Sequence, residues 1–386
     1  MPVHYSLTLA LFFFINLAGG RVILSLYALH LGASPFAVGV VMGTFYLFPL
    51  FLSWPVGLLS DRWGVRWLLV FAAVASGLSM FIPYVWSSMA VLYAASALAG
   101  LSLAFYNVSL QSLIGIVSAP EERTKNFANL SLVGSTSNAI GPIVAGWSMD
   151  HAGPQVASLI MVSPSLGALV MLLGWGARLP GGRPASGPKT KLFEALADRS
   201  LWRMLTVSAL VQLAMDLFQF FIPVYGHSKS ISDSAIGLTI GAFATSMFFV
   251  RFALPQLVAR FGELRLLEYS FYIAVAGYLA VPLCDTAGGL VLVGFLMGLG
   301  IGASAPLTMI LMFSRSAEGR SGESMALRLT ANNLVRASGP TLFGLIASGA
   351  GLVAVFVLSA LLMCWGGVLS RPARAQNSRP ISRSSE

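Results

Sequence analysis

Asp216 is the residue of this sequence best suited to carry a proton, because it is the only acidic residue deep inside an apolar segment. Gln212 and Gln219 lie at spacings that place all three side chains on one face of a helix. The charge of a carboxyl group in such surroundings depends on the groups beside it, so we expect Asp216 to take up and release a proton. All 4 histidines lie at segment ends or in loops, which gives a histidine proton relay little support.

Four arginines share the apolar segments with this carboxylate: Arg21, Arg251, Arg328 and Arg336. A charged side chain inside a membrane faces a cavity or a partner rather than lipid. Arg21 and Asp216 each lie about nine residues from the outer ends of their segments, so their depths are similar at 1.5 Å per residue. We predict that Arg21 can pair with Asp216 and modulate its hold on the proton. A permanently paired, structural carboxylate is the alternative, and Arg251 is expected to serve the interface between the two halves of the chain described below.

Several amide side chains are predicted to line a solute-binding cavity together with Arg336. They are Asn107, Gln111, Asn138, Gln212, Gln219, Asn332 and Asn333. Each of them can instead join neighbouring helices. The four arginines stand against one carboxylate within the apolar segments, and this surplus of positive charge favours a solute that carries an anionic group.

The composition shows what kind of fold must position these groups. Of 386 residues, 56% are apolar and only 10% are charged, whereas soluble proteins carry roughly 25% charged residues. A soluble fold is thereby excluded, and the length accommodates roughly a dozen membrane-spanning helices of about 20 residues. Cys284 and Cys364 lack the spacing of a disulfide or metal motif, and no set of nucleophile and base appears in the spans. We expect no cofactor, no metal and no enzymatic activity.

Apolar stretches predict an all-α integral membrane protein with twelve transmembrane helices. The predicted spans are 5–30, 35–59, 67–86, 89–116, 128–150, 155–177, 203–225, 234–258, 266–284, 288–313, 325–349 and 350–370. A basic stretch rich in Gly and Pro separates spans six and seven. The predicted organisation is an N-terminal six-helix bundle (1–177), a cytoplasmic linker (178–200), a C-terminal six-helix bundle (201–370) and a disordered basic cytoplasmic tail (371–386).

The basic residues indicate the orientation in the membrane. Of the 23 lysines and arginines, 18 lie in the loops and tail on one side of the predicted spans, and only Lys229 lies in a loop on the other side. Cytoplasmic loops are enriched in Lys and Arg, so we place both termini in the cytoplasm and the protein in the cytoplasmic (inner) membrane. The net charge of +9 is thereby explained without a nucleic-acid partner.

The two predicted bundles are internally related. A shift of 198 residues aligns Ser34 with Ser232, Gly39 with Gly237, Gly43 with Gly241, Gly64 with Gly262, Gly141-Pro142 with Gly339-Pro340, and Gly146 with Gly344. Two parallel halves related by an axis along the membrane normal are typical of transporters, whose solute site lies between the halves near mid-membrane. The aligned GxxxG pairs are expected to let helices approach closely.

A specific motif lies between spans two and three. It reads Gly57-Leu58-Leu59-Ser60-Asp61-Arg62-Trp63-Gly64-Val65-Arg66 and resembles G-x-L-x-D-R-x-G-x-[RK], the signature of the major facilitator superfamily. We interpret it as a gating loop made of Gly57, Asp61, Arg62, Gly64 and Arg66. Gly57 and Gly64 are expected to allow a tight turn, and Asp61 is expected to cap the positive N-terminal end of a helix from the other half. The resemblance implies that this helix is span eleven and that the contact forms in the outward-open state.

Span five resembles a second motif of that superfamily. Residues 137–146 read SNAIGPIVAG and resemble G-x-x-x-G-P-x-x-[GA]-G, which is associated with its proton-coupled exporters, with Ser137 in place of the first glycine. Pro142 removes one backbone hydrogen bond, and Gly141 and Gly146 are expected to permit tight contact with the opposite half. Because span eleven repeats Gly-Pro and the later glycine, a packing device common to both halves is the alternative.

The resemblance covers nearly the whole chain and implies a secondary active transporter. The protein is expected to move a small organic solute across the bilayer by alternating access, as a monomer, with export in exchange for protons as the leading prediction. Proton-coupled uptake of an organic anion is the first alternative, and a non-transporting membrane sensor with the same fold is the second. The resemblance also implies that spans one, four, seven and ten line the cavity.

Overall fold

The fold is helical throughout the part of the chain that the structure describes. The structure is a computed structural model and describes residues 3–119, 122–176, 199–315 and 321–371. No strand occurs within these ranges, which confirms the all-α prediction. The predicted linker up to residue 198 and the predicted tail beyond Arg371 lie outside the described residues.

The described helices are numbered in chain order. Helices α1 to α4 are Val3–His30, Pro35–Trp63, Val65–Val85 and Met89–Val117. The run Arg123–Trp175 is interrupted at Gly153 and provides α5 (123–152) and α6 (154–175). Next come α7 (Arg199–Ser228), α8 (Asp233–Phe261) and α9 (Glu263–Ala280), with a 3-10 turn at Val281–Leu283. Helix α10 consists of Ala287–Ile301 and Ser304–Arg315, followed by α11 (Ser321–Ala350) and α12 (Leu352–Ser370).

Contacts along α1 show the direction of α6, the helix that follows Gly153. Near the start of α1, the Tyr5 hydroxyl donates to the carbonyl of Met171 at 2.8 Å. Further along α1, the Asn16 amide donates to the carbonyl of Met161. As α1 advances, its partner in α6 moves back towards Gly153, so α1 and α6 are antiparallel.

The helices are long and apolar enough for a multi-pass membrane protein. Ten described helical runs meet this criterion, and one of them, Lys125–Trp175, contains both α5 and α6. Helix α11 is not among the ten, so the count of twelve spans stays a prediction on this criterion. Each of the runs is 18 residues or longer, close to the roughly 20 residues that cross a bilayer.

The backbone turns repeat between the two halves. Within the described ranges, φ is positive at Gly32, Gly64, Gly153, Ser230, Gly262 and Gly351. A shift of 198 residues pairs all six, because Gly32 aligns with Ser230, Gly64 with Gly262, and Gly153 with Gly351. Glycine adopts a positive φ without steric cost because it has no Cβ. Three turns of each half are therefore built in the same way, as the internal repeat of the sequence predicts.

The starts of corresponding helices repeat as well. Ser34 caps α2 by accepting a hydrogen bond from the backbone N–H of Ala37 at 3.3 Å, and Ser232 caps α8 on Ala235 at 3.3 Å. Ser88 and Thr286, also 198 residues apart, cap α4 and α10 in the same manner. Such caps satisfy backbone donors that have no partner within the helix.

The two halves pack closely on one side of the membrane. We call the face that carries the start of α1 and the end of α12 the terminal face, and the opposite face the far face. Near the far face, α2 contacts α11 and α5 contacts α8. A Cβ atom at Gly39 would lie 3.2 Å from Thr341 Cα, and one at Gly237 would lie 3.0 Å from Gly146 Cα. These separations confirm that the GxxxG glycines permit close helix packing.

The superfamily motif between spans two and three continues a helix rather than forming an extended loop. Helix Pro35–Trp63 includes Gly57, so the predicted turn at that residue is wrong, and the chain turns at Gly64, whose φ is 78°. A glycine inside a helix destabilises it by only about 1 kcal/mol relative to alanine. The apolar residues of the neighbouring turns stabilise the helix by more than this amount. The side chains of Asp61 and Arg62 lie outside the described residues, so the capping of α11 stays a prediction.

A buried polar network joins α1, α3 and α6 within the first half. The Asn16 side chain is 2% exposed, and its oxygen accepts a hydrogen bond from the Ser76 hydroxyl at 2.6 Å. The Ser165 hydroxyl in turn donates to Ser76 at 3.2 Å. Since the Asn16 amide also donates to the Met161 carbonyl, one side chain satisfies polar groups on two neighbouring helices.

We expect Asn16→Leu to lower the free energy of unfolding by about 1–3 kcal/mol, because it leaves the buried Ser76 hydroxyl and a backbone carbonyl without this partner. Denaturant unfolding in detergent micelles measures the change. Thr8→Val is the matched control, since the Thr8 hydroxyl donates within its own helix to the carbonyl of His4. Equal losses in the two variants would contradict the importance of the network.

Candidate functional site

A cavity of about 430 Å³ lies between the two halves. It extends from Asp216 and Asn138 at mid-depth to Phe127, near the terminal-face end of α5. The lining residues combine charged and amide groups with an apolar wall that includes Phe14, Leu103 and Phe243. Such a mixture suits a small organic solute with both apolar and polar parts.

Asp216 is buried in the cavity wall, with 7% of its surface exposed. Its Oδ2 atom accepts hydrogen bonds from Gln212 Nε2 at 2.8 Å and from Arg336 Nε at 3.2 Å. The carboxylate and Arg336 form an ion pair between α7 and α11. Asp216 is therefore held by two groups of its own half rather than directly by Arg21.

Arg21 lies in the same cavity on the side of the first half. Its Nη1 donates to the Tyr46 hydroxyl at 2.7 Å, and its Nη2 donates to Asn138 Oδ1 at 3.0 Å. The guanidinium of Arg336 lies 5.4 Å from the centre of the Tyr46 ring, within the range of a cation–π contact. Tyr46 thus connects Arg21 in one half with the Arg336–Asp216 pair in the other.

Arg251 makes a second contact between the halves. Its Nη1 donates to the Ser135 hydroxyl in α5 at 2.9 Å, and its Nε donates to the Gly302 carbonyl at 3.4 Å. Both Arg251 and Ser135 line the cavity. This geometry agrees with the expectation that Arg251 serves the interface between the halves.

The structure brings together most of the residues predicted to form the site. The cavity wall contains Arg21, Asn107, Gln111, Asn138, Asp216, Gln219 and Arg336. Three further candidates do not line this cavity. Gln212 bonds to Asp216 from outside the wall, Asn332 is buried and accepts a hydrogen bond from Ser208 at 3.2 Å, and Asn333 is half-buried beside it.

The helices around the cavity differ in part from those expected. Helices α1, α4 and α7 contribute as predicted, together with α2, α5, α8 and α11. Helix α10 supplies none of the described lining residues, contrary to expectation. Gly294 and Gly298 let α10 pack directly against Thr239 and Phe243 of α8, so α8 separates α10 from the cavity.

The motif of α5 has two contact faces. Gly146 faces Gly237 in the opposite half, as predicted. A Cβ at Gly141 would instead lie 2.8 Å from the Ile15 carbonyl oxygen in α1, so the expectation that Gly141 faces the opposite half is wrong. Pro142 lies between these glycines within the same helical run, and the motif therefore fixes α5 against its own half as well as the other.

Of the predicted gating residues, Arg66 has a described side chain. Its guanidinium lies 5.2 Å from the centre of the Trp67 ring. Its Nε is buried and has no hydrogen-bond partner within the described residues. A Cβ at Gly176 would lie 3.2 Å from that Nε, so Arg66 lies against the end of α6.

Sequence reasoning missed Tyr46, although a signal for it exists. Gly39, Gly43 and Tyr46 are spaced i, i+4 and i+7, which places them on one face of α2. Since the glycine pair was expected at a helix contact, the same face predicts an inward-pointing Tyr46. Ser135 offered no such signal, because a serine in an apolar helix most often bonds to its own backbone.

Comparisons of the sequence with known proteins identify the family of this chain. The sequence profile described as Major Facilitator Superfamily matches residues 7–340. The quinolone resistance protein NorA of Staphylococcus aureus is 22% identical over 343 residues, covering 86% of this chain and 87% of NorA. The staphylopine export protein of Staphylococcus aureus is 25% identical over 266 residues, covering 64% of each chain.

Solved structures show the same architecture. A mutant of the nucleoside transporter NupG superposes with a TM-score of 0.76 at 14% identity, covering 96% of this chain and 99% of that one. A POT family transporter in complex with a thioalcohol-conjugated peptide gives a TM-score of 0.79 at 11% identity, covering 95% and 94%. At these identities the likeness concerns the fold, whereas the profile match spans most of the sequence. The chain is a member of the major facilitator superfamily, a membrane transporter rather than an enzyme.

Proposed function

We propose that this transporter exports a small organic solute from the cytoplasm in exchange for protons, and that Asp216 carries the proton. The observation that carries the proposal is the position of Asp216, which is the acidic member of the described cavity wall and is bonded to Arg336. A carboxylate that solute and protons can reach from a cavity, and whose ion pair can break, can bind or release a proton as the solute arrives or leaves.

The orientation rests on the distribution of basic residues. Because cytoplasmic loops are enriched in Lys and Arg, we assign the terminal face to the cytoplasm and the far face to the outside. The close packing of α2 with α11 and of α5 with α8 then closes the outer side. On this assignment, the described conformation receives solute from the cytoplasm. All groups of the site belong to one chain, so we propose that it works as a monomer in the bilayer.

Exchange requires that the solute and the proton compete. A cationic or hydrogen-bond-donating group of the solute would occupy the Asp216 carboxylate in the inward-facing state, and protonation from the outside would displace it. Arg21 has a buried Nε without a partner in the described residues, and it is positioned to receive an anionic part of the same solute. Two relatives whose names denote quinolone resistance and staphylopine export support the direction.

The surplus of arginines favours a second candidate. Three arginines and one aspartate are among the described residues that line the cavity. An anion bound beside them and a proton bound to Asp216 would reinforce each other electrostatically, and binding of both together leads to proton-coupled uptake of an organic anion. The two candidates thus differ in whether solute and proton exclude or assist each other.

Transport in membrane vesicles of defined orientation distinguishes the candidates. Labelled quinolones, staphylopine and simple organic acids are offered with and without a pH gradient. For export we expect inverted vesicles, acidified inside, to accumulate solute at least tenfold above vesicles that lack the protein, and to lose this accumulation when an ionophore collapses the gradient. Accumulation only when solute and protons enter from the same side would establish uptake instead.

A further inference from the structure

Three potential metal ligands meet at the far face, outside the cavity. His30 is the last residue of α1, His227 lies in the last turn of α7, and Asp233 is the first residue of α8. Their ligand atoms all lie within 4.8 Å of one another. Because His30 is 197 residues or more away from the other two in sequence, only the fold brings this cluster together.

Asp233 is buried and bonded within this cluster, whereas His30 is exposed to water. His30 Nε2 lies 2.8 Å from Asp233 Oδ2, and the side chains of these residues are 40% and 8% exposed. The ring of His227 contacts that of His30 edge-on, with 5.3 Å between the ring centres. Within the described residues, the His227 imidazole has this ring contact but no hydrogen-bond partner. One carboxylate is therefore held in place while the imidazoles can be reached from water.

We infer that His30, His227 and Asp233 form a transition-metal site that binds Zn²⁺ in this conformation and holds the far face closed. Imidazole nitrogen and carboxylate oxygen bind zinc at about 2.0–2.2 Å, and two ligands of a tetrahedral zinc ion are about 3.4 Å apart. The ligand atoms of the cluster lie between 2.8 Å and at most 4.8 Å from one another, a range that includes this distance. Water would supply the fourth ligand on the exposed side of His30.

The site links the two halves of the transporter. His30 belongs to the first half, whereas His227 and Asp233 belong to the second, so the ligands separate when the far face opens. A ligand that binds one conformation stabilises it by mass action, by about 100-fold when its concentration is 100 times its dissociation constant. Zinc on the outside would then trap the described conformation and stop transport. Metal binding itself does not depend on the proposed substrate or on proton coupling.

Zinc binding is tested on the purified full-length chain without a polyhistidine tag, in micelles and at a pH where histidine is neutral. Calorimetric titration with ZnCl₂ should give one site per chain and a raised unfolding temperature, whereas MgCl₂ should give neither. We expect His30→Ala and His227→Ala to weaken zinc binding at least tenfold. His227→Cys should keep the site, because a thiolate also binds zinc.

His151→Ala is the matched control, since His151 also lies near the far face but stacks on Trp147 within α5. The site is refuted if the wild-type chain takes up no zinc, or if His151→Ala weakens binding as much as His227→Ala does. The lock is tested by labelling a cysteine introduced at the buried Ser25, beside the cavity. Cys284 and Cys364 are first replaced by serine so that only the introduced thiol reacts. With His30, His227 and Asp233 intact, zinc should slow its labelling from the outside at least tenfold, and an unchanged rate would refute the lock.

Discussion

Asp216→Asn is expected to remove solute accumulation driven by a proton gradient, down to the level of vesicles that lack the protein. Asparagine keeps the size of the side chain and its capacity to accept a hydrogen bond from Gln212, but it cannot bind and release a proton. Exchange of labelled for unlabelled solute should persist, because the cavity wall is otherwise intact. Parallel assays of accumulation and exchange in the same vesicles measure both properties.

The substitution also leaves Arg336 without its charged partner. Loss of one member of a fully buried ion pair costs about 3–5 kcal/mol, but Arg336 is 32% exposed to the cavity, so water replaces part of the interaction and the loss is smaller. Asp216→Asn combined with Arg336→Gln removes both charges and controls for this effect. We expect the double variant to recover thermal stability without recovering coupling.

Asp216→Glu completes the series, since it keeps a titratable carboxyl group one methylene further out. It should retain part of the proton-driven accumulation. Undiminished accumulation by Asp216→Asn would remove the carboxylate from the coupling mechanism and leave it a structural partner of Arg336. Retention of coupling by the double variant would lead to the same conclusion.

The depth of the polar residues could be predicted from the sequence, but their partners could not. Residue counts along apolar spans predict similar depths for Arg21 and Asp216, because a helix rises by a constant amount per residue, and both side chains line the same cavity. Which arginine pairs with Asp216 depends on the rotation of α1 and α11 about their axes. That rotation is set by packing at Gly39, Gly141 and their neighbours, and it turns Arg336 rather than Arg21 towards the carboxylate.

The similarity of the two halves could be predicted from the sequence, whereas individual contacts between distant segments could not. The aligned glycines and serines predict that the two halves share local structure, and the structure shows shared turns and caps, since both depend on local backbone geometry. The exclusion of α10 from the cavity and the cluster at His30 depend on contacts between distant segments. No spacing along the chain indicates these contacts. The internal repeat does not indicate the cluster either, because the residue that corresponds to His30 in the second half is Ser228.

Gly237→Ala is expected to open the far face. A Cβ at Gly237 would lie 3.0 Å from Gly146 Cα and closer still to the Pro142 carbonyl. Both neighbours are backbone atoms of the other half, which cannot rotate away as a side chain can. Overpacking of this kind costs about 1–3 kcal/mol, and separation of α8 from α5 relieves it. The equilibrium should therefore shift about tenfold away from the described conformation, since 1.4 kcal/mol corresponds to a factor of ten.

A cysteine at Ser25 reports this shift, in a background where Cys284 and Cys364 are replaced by serine. Ser25 is 2% exposed in the described conformation, so a membrane-impermeant maleimide added from the outside should label it slowly. Gly237→Ala should accelerate labelling about tenfold, and so should Gly39→Ala, its repeat counterpart at the contact of α2 with α11. Gly174→Ala is the control, because a Cβ at Gly174 meets nothing within 4 Å. If Gly237→Ala and Gly174→Ala label at the same rate, the glycine contacts do not hold the far face closed.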